Sequence, residues 1–164
     1  MNKFIYDGHD LTPILCTSSN SFSFKETPKK NNIPETGSIV YTVWDSNEKF
    51  IYVGIAGTNA EFDERKPQSR IKQHSSGYRS GDQFCVYVHD FYVLPIIFAK
   101  KQYTPIKREL DKLTKDYIHN NFHYRFVDFQ TKNSNIIVKK IEDDIKSGSF
   151  GIKPELNGKW EFAK

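Results

Sequence analysis

Two short apolar runs separated by a polar turn limit this chain more than anything else in it. The first runs Ser38-Ile39-Val40-Tyr41-Thr42-Val43-Trp44, and the second Phe50-Ile51-Tyr52-Val53-Gly54-Ile55. β-Branched and aromatic residues of this kind suit a pleated, half-buried surface. Asp45-Ser46-Asn47-Glu48 between them is a turn-forming cluster, so the pair reads as an antiparallel hairpin. A four-residue turn sets Tyr41 opposite Tyr52, with both phenols on one face.

The rest of the chain supplies helices to cover that sheet. Pro67 suits the first turn of a helix reaching Ser76, and Gly77 suits its end. Arg70 and His74, four residues apart, then share a face. Gln83 to Asp90 is expected to be a third strand, central because it is apolar on both sides. Phe91 to Ala99 is apolar with an interruption at Pro95.

A helix is expected from Pro105 to Asn120, capped by Thr104, with Ile106, Leu110, Leu113, Tyr117 and Ile118 inward. Phe122 to Phe129 reads as a strand. A last helix, capped by Asn133 or Ser134 and ended by Gly148, turns Ile137, Val138, Ile141 and Ile145 inward. The tail from Gly151 to Gly158 reads as loop or sheet edge. Residues 1–36 form an N-terminal extension in which Ser21 to Phe24 alternates like a strand. Asp10 to Leu15 suits either an extended piece or a helical turn. The expected fold class is α/β (α+β): a small, mainly antiparallel sheet flanked by helices.

Composition narrows the function classes. Cys16 and Cys85 have neither metal-ligand spacing nor a disulfide framework. No run is long and apolar enough to span a bilayer. The first residues lack the apolar core of a secretion signal, which makes a cytoplasmic location the default expectation. A net charge of +4 is compatible with a nucleic-acid partner. From Lys100 to Lys140, ten cations stand against four acids. That surplus suits either a phosphate backbone or an ordinary solvated face.

Ile39-Val40-Tyr41, then Tyr52-Val53-Gly54, then a helix carrying Arg70 and His74, a later Glu142 and finally Asn157 follow one another along the chain. This series resembles the GIY-YIG endonuclease family over residues 37–158. Ile39 replaces the first glycine of the motif, with Gly37 just upstream. The resemblance implies a metal-dependent DNA endonuclease, with DNA favoured over RNA, leaving 5′-phosphate and 3′-hydroxyl ends.

It further implies that Tyr41 or Tyr52 activates the attacking water, and the residues themselves leave that choice open. Arg70 would hold the phosphate through its fixed paired donors. His74 would relay a proton or donate to the phosphate. Glu142 would hold Mg2+ (or Mn2+), a single carboxylate plus waters being a workable set. Helical arithmetic alone does not separate Glu142 from Asp144; the resemblance does. Asn157, after Pro154, would orient a backbone or phosphate group near the phenols. Lys72 and Arg79 lie where they would contact nucleic acid. No lysine follows Val53-Gly54 closely, and Lys66 is the candidate substitute. Cleaving both strands with one such site calls for a homodimer or two sequential nicks. The competing expectation is a non-catalytic nucleic-acid-binding module on the same scaffold.

Overall fold

The computed structural model describes residues 3–57, 66–99, 107–131 and 133–157. Thr104, Ile106, Gly158 and three of the cations noted above (Lys100, Lys101 and Lys132) lie outside these residues.

The hairpin forms β4 (Ser38–Asp45) and β5 (Phe50–Ala56). Its register differs from the expectation by two residues: Tyr41 faces Gly54 and Val43 faces Tyr52. Two irregularities add up to that shift. The turn takes one more residue than expected, so Trp44 pairs with Phe50, and Asp45 closes it by bonding to Lys49 and Glu48. A bulge between Val43 and Trp44 then inserts Ile51 as an unpaired residue. The sheet repeats every two residues, so a net slip of two leaves both phenols on the expected face. The bulge also lets Ile51 and Tyr52 enter the same core, while Phe50 turns the other way and stacks on Trp44.

Strand β6 (Phe122–Phe129) pairs with the other side of β4. The two-residue strand β3 (Phe22–Ser23) pairs with β6. The sheet order is therefore β3-β6-β4-β5, antiparallel throughout. A second, two-stranded sheet joins β1 (Ile5–Tyr6) to β2 (His9–Asp10).

The run from Gln83 is not a strand. It is the helix α3 (Gln83–Val88), continued by a π-helical turn (His89–Val93) and α4 (Leu94–Ala99). Asp82 decides this locally: its carboxylate accepts from the amides of Phe84 and Cys85, satisfying donors that a helix start leaves free. The buried residues Phe84, Cys85, Tyr87 and Val88 then make a helical stripe. Pro95 lies in the first turn of α4, directly after the π-helical turn, so the amide it lacks falls where the helical hydrogen-bond spacing already changes.

Helices cover both faces of the sheet. One face carries Tyr41, Val43, Tyr52 and Tyr124, packed against α2 (Pro67–Ser76), α3 and α5 (Lys107–Asn121). The other carries Val40, Trp44 and Val53, packed against the helical turn α1 (Thr12–Leu15) and α6 (Ser134–Ser147). The architecture is thus mixed α and β, an antiparallel sheet between helices. Leu11, Ile14, Phe24 and Ile33, all from the first 36 residues, are buried in these two cores.

Gly77 ends α2 in the left-handed conformation. A side chain there would strike the backbone of Asp111 and Lys115, so α2 can lie this close to α5 only with glycine. In α5 the expected inward residue Leu113 is exposed, and Asp111 and Thr114 are buried instead. Helix α6 starts at Asn133, which is left-handed and makes no side-chain cap; Ser134 bonds Ser38 rather than its own helix. Among the described residues no helix is long and apolar enough to cross a membrane.

Candidate functional site

The site forms where α2 crosses the sheet face bearing the two phenols. Tyr41 and Tyr52 lie with ring centroids 6.4 Å apart, and each also packs on the His74 ring. The space for this contact comes from Gly54. An added Cβ there would stand 2.3 Å from Tyr41 Oη and 3.0 Å from Tyr52 Cε1. The glycine that ends the second tripeptide is what lets the Tyr41 phenol reach across β5.

The helical spacing expected for Arg70 and His74 holds. His74 is fully buried, and its Nε2 lies 2.5 Å from Tyr41 Oη. Its Nδ1 lies 2.7 Å from the carboxylate of Asp82. An ionised carboxylate can only accept, so Nδ1 carries the proton and donates to Asp82. Nε2 is then left with a lone pair and accepts from the Tyr41 hydroxyl. A continuous chain, Tyr41 to His74 to Asp82, runs behind the phenols.

The electrostatics agree with that assignment. Burial lowers the pKa of His74, keeping the imidazole neutral despite Asp82. For Asp82, burial works upward, but His74, Arg70 and the Cys85 amide outweigh it and hold the carboxyl below its usual range. Tyr41 is pushed well above the usual phenol value, first by burial and then by Tyr52, with Arg70 opposing. Tyr52 is raised too: burial leads, Arg70 opposes, and the charges of Glu142 and Asp82 add to the rise. Burial disfavours the Arg70 cation, yet Tyr41, Asp82 and Tyr52 together raise its pKa above the ordinary value. Arg70 is partly exposed and bonds Gln73 at 2.9 Å. It is the cation through which this buried cluster meets solvent.

Glu142 comes from α6, on the other face of the sheet, and is 7% exposed. Its charge still reaches Tyr52, which lies in the edge strand β5. Burial separates it from its neighbours where periodicity did not, since Asp143 is exposed and Asp144 intermediate. Both carboxylate oxygens are engaged, one by Lys146 at 2.8 Å and one by Lys139 at 3.2 Å. Among the described residues no group of three or more His, Cys, Asp or Glu side chains could hold a metal ion. A protein-only cage does not fit these residues, and a cation at Glu142 would have to displace one of the two lysines and keep most of its waters.

Asn157 grips the free edge of β5. Its Oδ1 accepts from Val53 N at 2.8 Å and its Nδ2 donates to Val53 O at 2.9 Å. Leu156 N and Glu155 N continue the ladder onto Ile51 and Phe50. The backbone that Asn157 orients is thus the one carrying Tyr52. Lys66 sits at the N-terminus of α2, exposed. Lys72 is exposed on α2. Arg79 is instead folded onto the protein: its Nε bonds Asp111 at 2.9 Å and its Nη1 lies 3.2 Å from His89. Arg125, counted among the cations, is buried and bonds Glu48 and the carbonyls of Thr17 and Ser19.

Comparison with family models, with curated proteins and with solved structures yields no match for this chain. Its site is therefore described by its own geometry. That geometry contains one residue absent from the sequence expectations, Asp82. The signal for it was local: an acid just after Gly81 and just before an apolar run is a helix cap, once the run is taken as a helix.

Proposed function

We propose that this chain is a metal-dependent endonuclease of the GIY-YIG type, hydrolysing phosphodiester bonds in DNA. The observation that carries the reading is the cluster of Tyr41, Tyr52, Arg70 and His74 on one face, with Arg70 reaching solvent. Such a cluster supplies what phosphodiester hydrolysis needs from a protein: paired cationic donors for the phosphate and a base for water. Arg70 would take the non-bridging oxygens of the scissile phosphate. A phenol beside it would take the proton of the attacking water. Glu142 would hold Mg2+ or Mn2+ in place of one of its lysines. When bound, that ion would offset negative charge building on the phosphate.

The test is cleavage of supercoiled plasmid with Mg2+ or Mn2+, with and without EDTA. The expected result is metal-dependent nicking or linearisation that leaves 5′-phosphate and 3′-hydroxyl ends. Arg70→Ala and Glu142→Ala should each abolish cutting while leaving the fold intact. Cleavage that survives Glu142→Ala would remove the metal assignment.

One observation favours the second reading, a nucleic-acid-binding module without catalysis. Both oxygens of Glu142 are already paired with lysines. That reading predicts salt-dependent DNA binding with no cutting in either metal.

A further inference from the structure

A buried carboxylate stands one step behind the phenols, and the proposed chemistry has so far given it no task. Asp82 is 1% exposed. It divides its oxygens between two jobs. Oδ1 accepts from the amides of Phe84 and Cys85, which starts α3. Oδ2 accepts from His74 Nδ1 at 2.7 Å. The first bond anchors the carboxylate to the backbone; the second orients the imidazole toward Tyr41. Capping alone would use only the first.

We propose that Asp82 is a positioning residue for the cleavage reaction, holding His74 in the tautomer whose Nε2 accepts the Tyr41 proton. This rests on the nuclease reading above. A phenol that is buried and protonated takes a proton from water only if its own proton has somewhere to go. In this step the Tyr41 O–H proton passes to His74 Nε2, forming an imidazolium faced by the Asp82 carboxylate. Tyr41 is 0% exposed, so this step requires the site to open enough for water to reach its oxygen; the phenolate then takes a proton from that water, whose oxygen bonds to phosphorus. The bond from phosphorus to the 3′-oxygen breaks, and that oxygen takes a proton from bulk water. The imidazolium returns its extra proton to solvent, which closes the balance.

Among the described residues, the charged and titratable groups facing His74 are few. They are Tyr41 from β4, Tyr52 from β5, Arg70 from its own helix, and Asp82 and Cys85 from the start of α3, the thiol bonding the His74 carbonyl. Asp82 is the only carboxylate among them. It alone can favour the proton on Nδ1 and stabilise the imidazolium.

Asp82→Asn separates positioning from capping. Its amide oxygen can still accept from Phe84 and Cys85, while its NH2 donates to His74 Nδ1 and forces the proton onto Nε2. The Tyr41 proton then has no acceptor. Nitrogen-15 NMR of histidine-labelled protein should show Nδ1–H at His74 in the native chain and Nε2–H in Asp82→Asn. Single-turnover plasmid cleavage should fall about a hundredfold or more, the usual scale for losing a proton relay. DNA binding measured in EDTA should stay unchanged. Asp82→Ser keeps a capping oxygen without reaching His74, and it should lose cleavage while still folding.

An Nε2–H tautomer in the native chain would overturn the proposal whatever the variants do. So would an Asp82→Asn protein that cuts at the native rate. If the native chain cuts nothing, the nuclease reading falls and takes the proposal with it. If it cuts but Asp82 is dispensable, only the assignment of Asp82 falls.

Discussion

Gly54→Ala is the most exacting test of how the site is built. The substitution adds one methyl group. Glycine-specific backbone is not at issue, because Gly54 is absent from the left-handed glycines. The cost is contact. The new carbon would stand 2.3 Å from Tyr41 Oη and 2.5 Å from its Cζ, far inside van der Waals distance. Tyr41 is 0% exposed and cannot swing into solvent. Overpacking of this kind costs about 1–3 kcal/mol. Moving the phenol also breaks its bond to His74, and a buried polar group left unpaired adds about 1–3 kcal/mol. The stiffer unfolded chain returns roughly 0.4–1 kcal/mol. A net loss of about 3 kcal/mol lowers the melting temperature by roughly 6–12 °C for a chain of this size. Thermal unfolding measures it, and cleavage should fall in parallel. The decisive control is the same change in a Tyr41→Ala background, where the ring it strikes is gone and the penalty should shrink. Equal penalties in both backgrounds, or a native melting temperature for Gly54→Ala, would refute the placement of Tyr41 beneath Gly54.

Other expectations follow from the same geometry. Asn157→Ala removes two bonds to the Val53 backbone and should cost about 1–3 kcal/mol in denaturant unfolding; an unchanged midpoint would mean that the β5 edge does not depend on them. Arg70→Lys keeps the charge but loses the paired donors, so plasmid cleavage should drop about tenfold or more while the fold persists; native-rate cutting would argue against a bidentate phosphate contact. Stability should fall in acid. Burial holds the pKa of His74 below its ordinary 6.5, so the unfolded chain takes up that proton first, and stability present above that value is lost as the pH falls below it. His119 and His123, also lowered chiefly by burial, act in the same direction. The lowered Asp82 adds a second loss, beginning below its ordinary 3.8 and continuing through its native value. Denaturant midpoints that stay flat from about pH 7 to about pH 5 would contradict the neutral, buried state of His74.

The face on which the phenols meet was legible in the sequence because it depends only on parity. The turn and the bulge each displaced the pairing by one residue, and two displacements restored the alternation. An odd number would have sent Tyr52 to the α6 side. Nothing in Asp45-Ser46-Asn47-Glu48 or in Val43-Trp44 announces a bulge, since its geometry is set by packing: Trp44 stacks on Phe50, and Ile51 turns with Tyr52 into the opposite core. The Arg70–His74 spacing was legible for a different reason. Pro67 and Gly77 mark the ends of α2 by backbone chemistry that does not depend on tertiary context.

At Gln83 to Asp90, composition and capping disagree. Phe, Val and Tyr favour strands, and an apolar run this short has no clear helical period. One carboxylate outweighed those preferences by satisfying two amides at the helix start. The same carboxylate is the partner of His74. The helix at Gln83 and the place of Asp82 in the site thus have one cause. A strand starting at Gln83 would have left Asp82 as a loop acid with no assigned direction. A helix starting there fixes its backbone, engages one oxygen with the Phe84 and Cys85 amides and leaves the other free to meet an imidazole from α2. Local structure and site chemistry are joined at this residue, and any substitution that spares the cap while removing the charge will separate them.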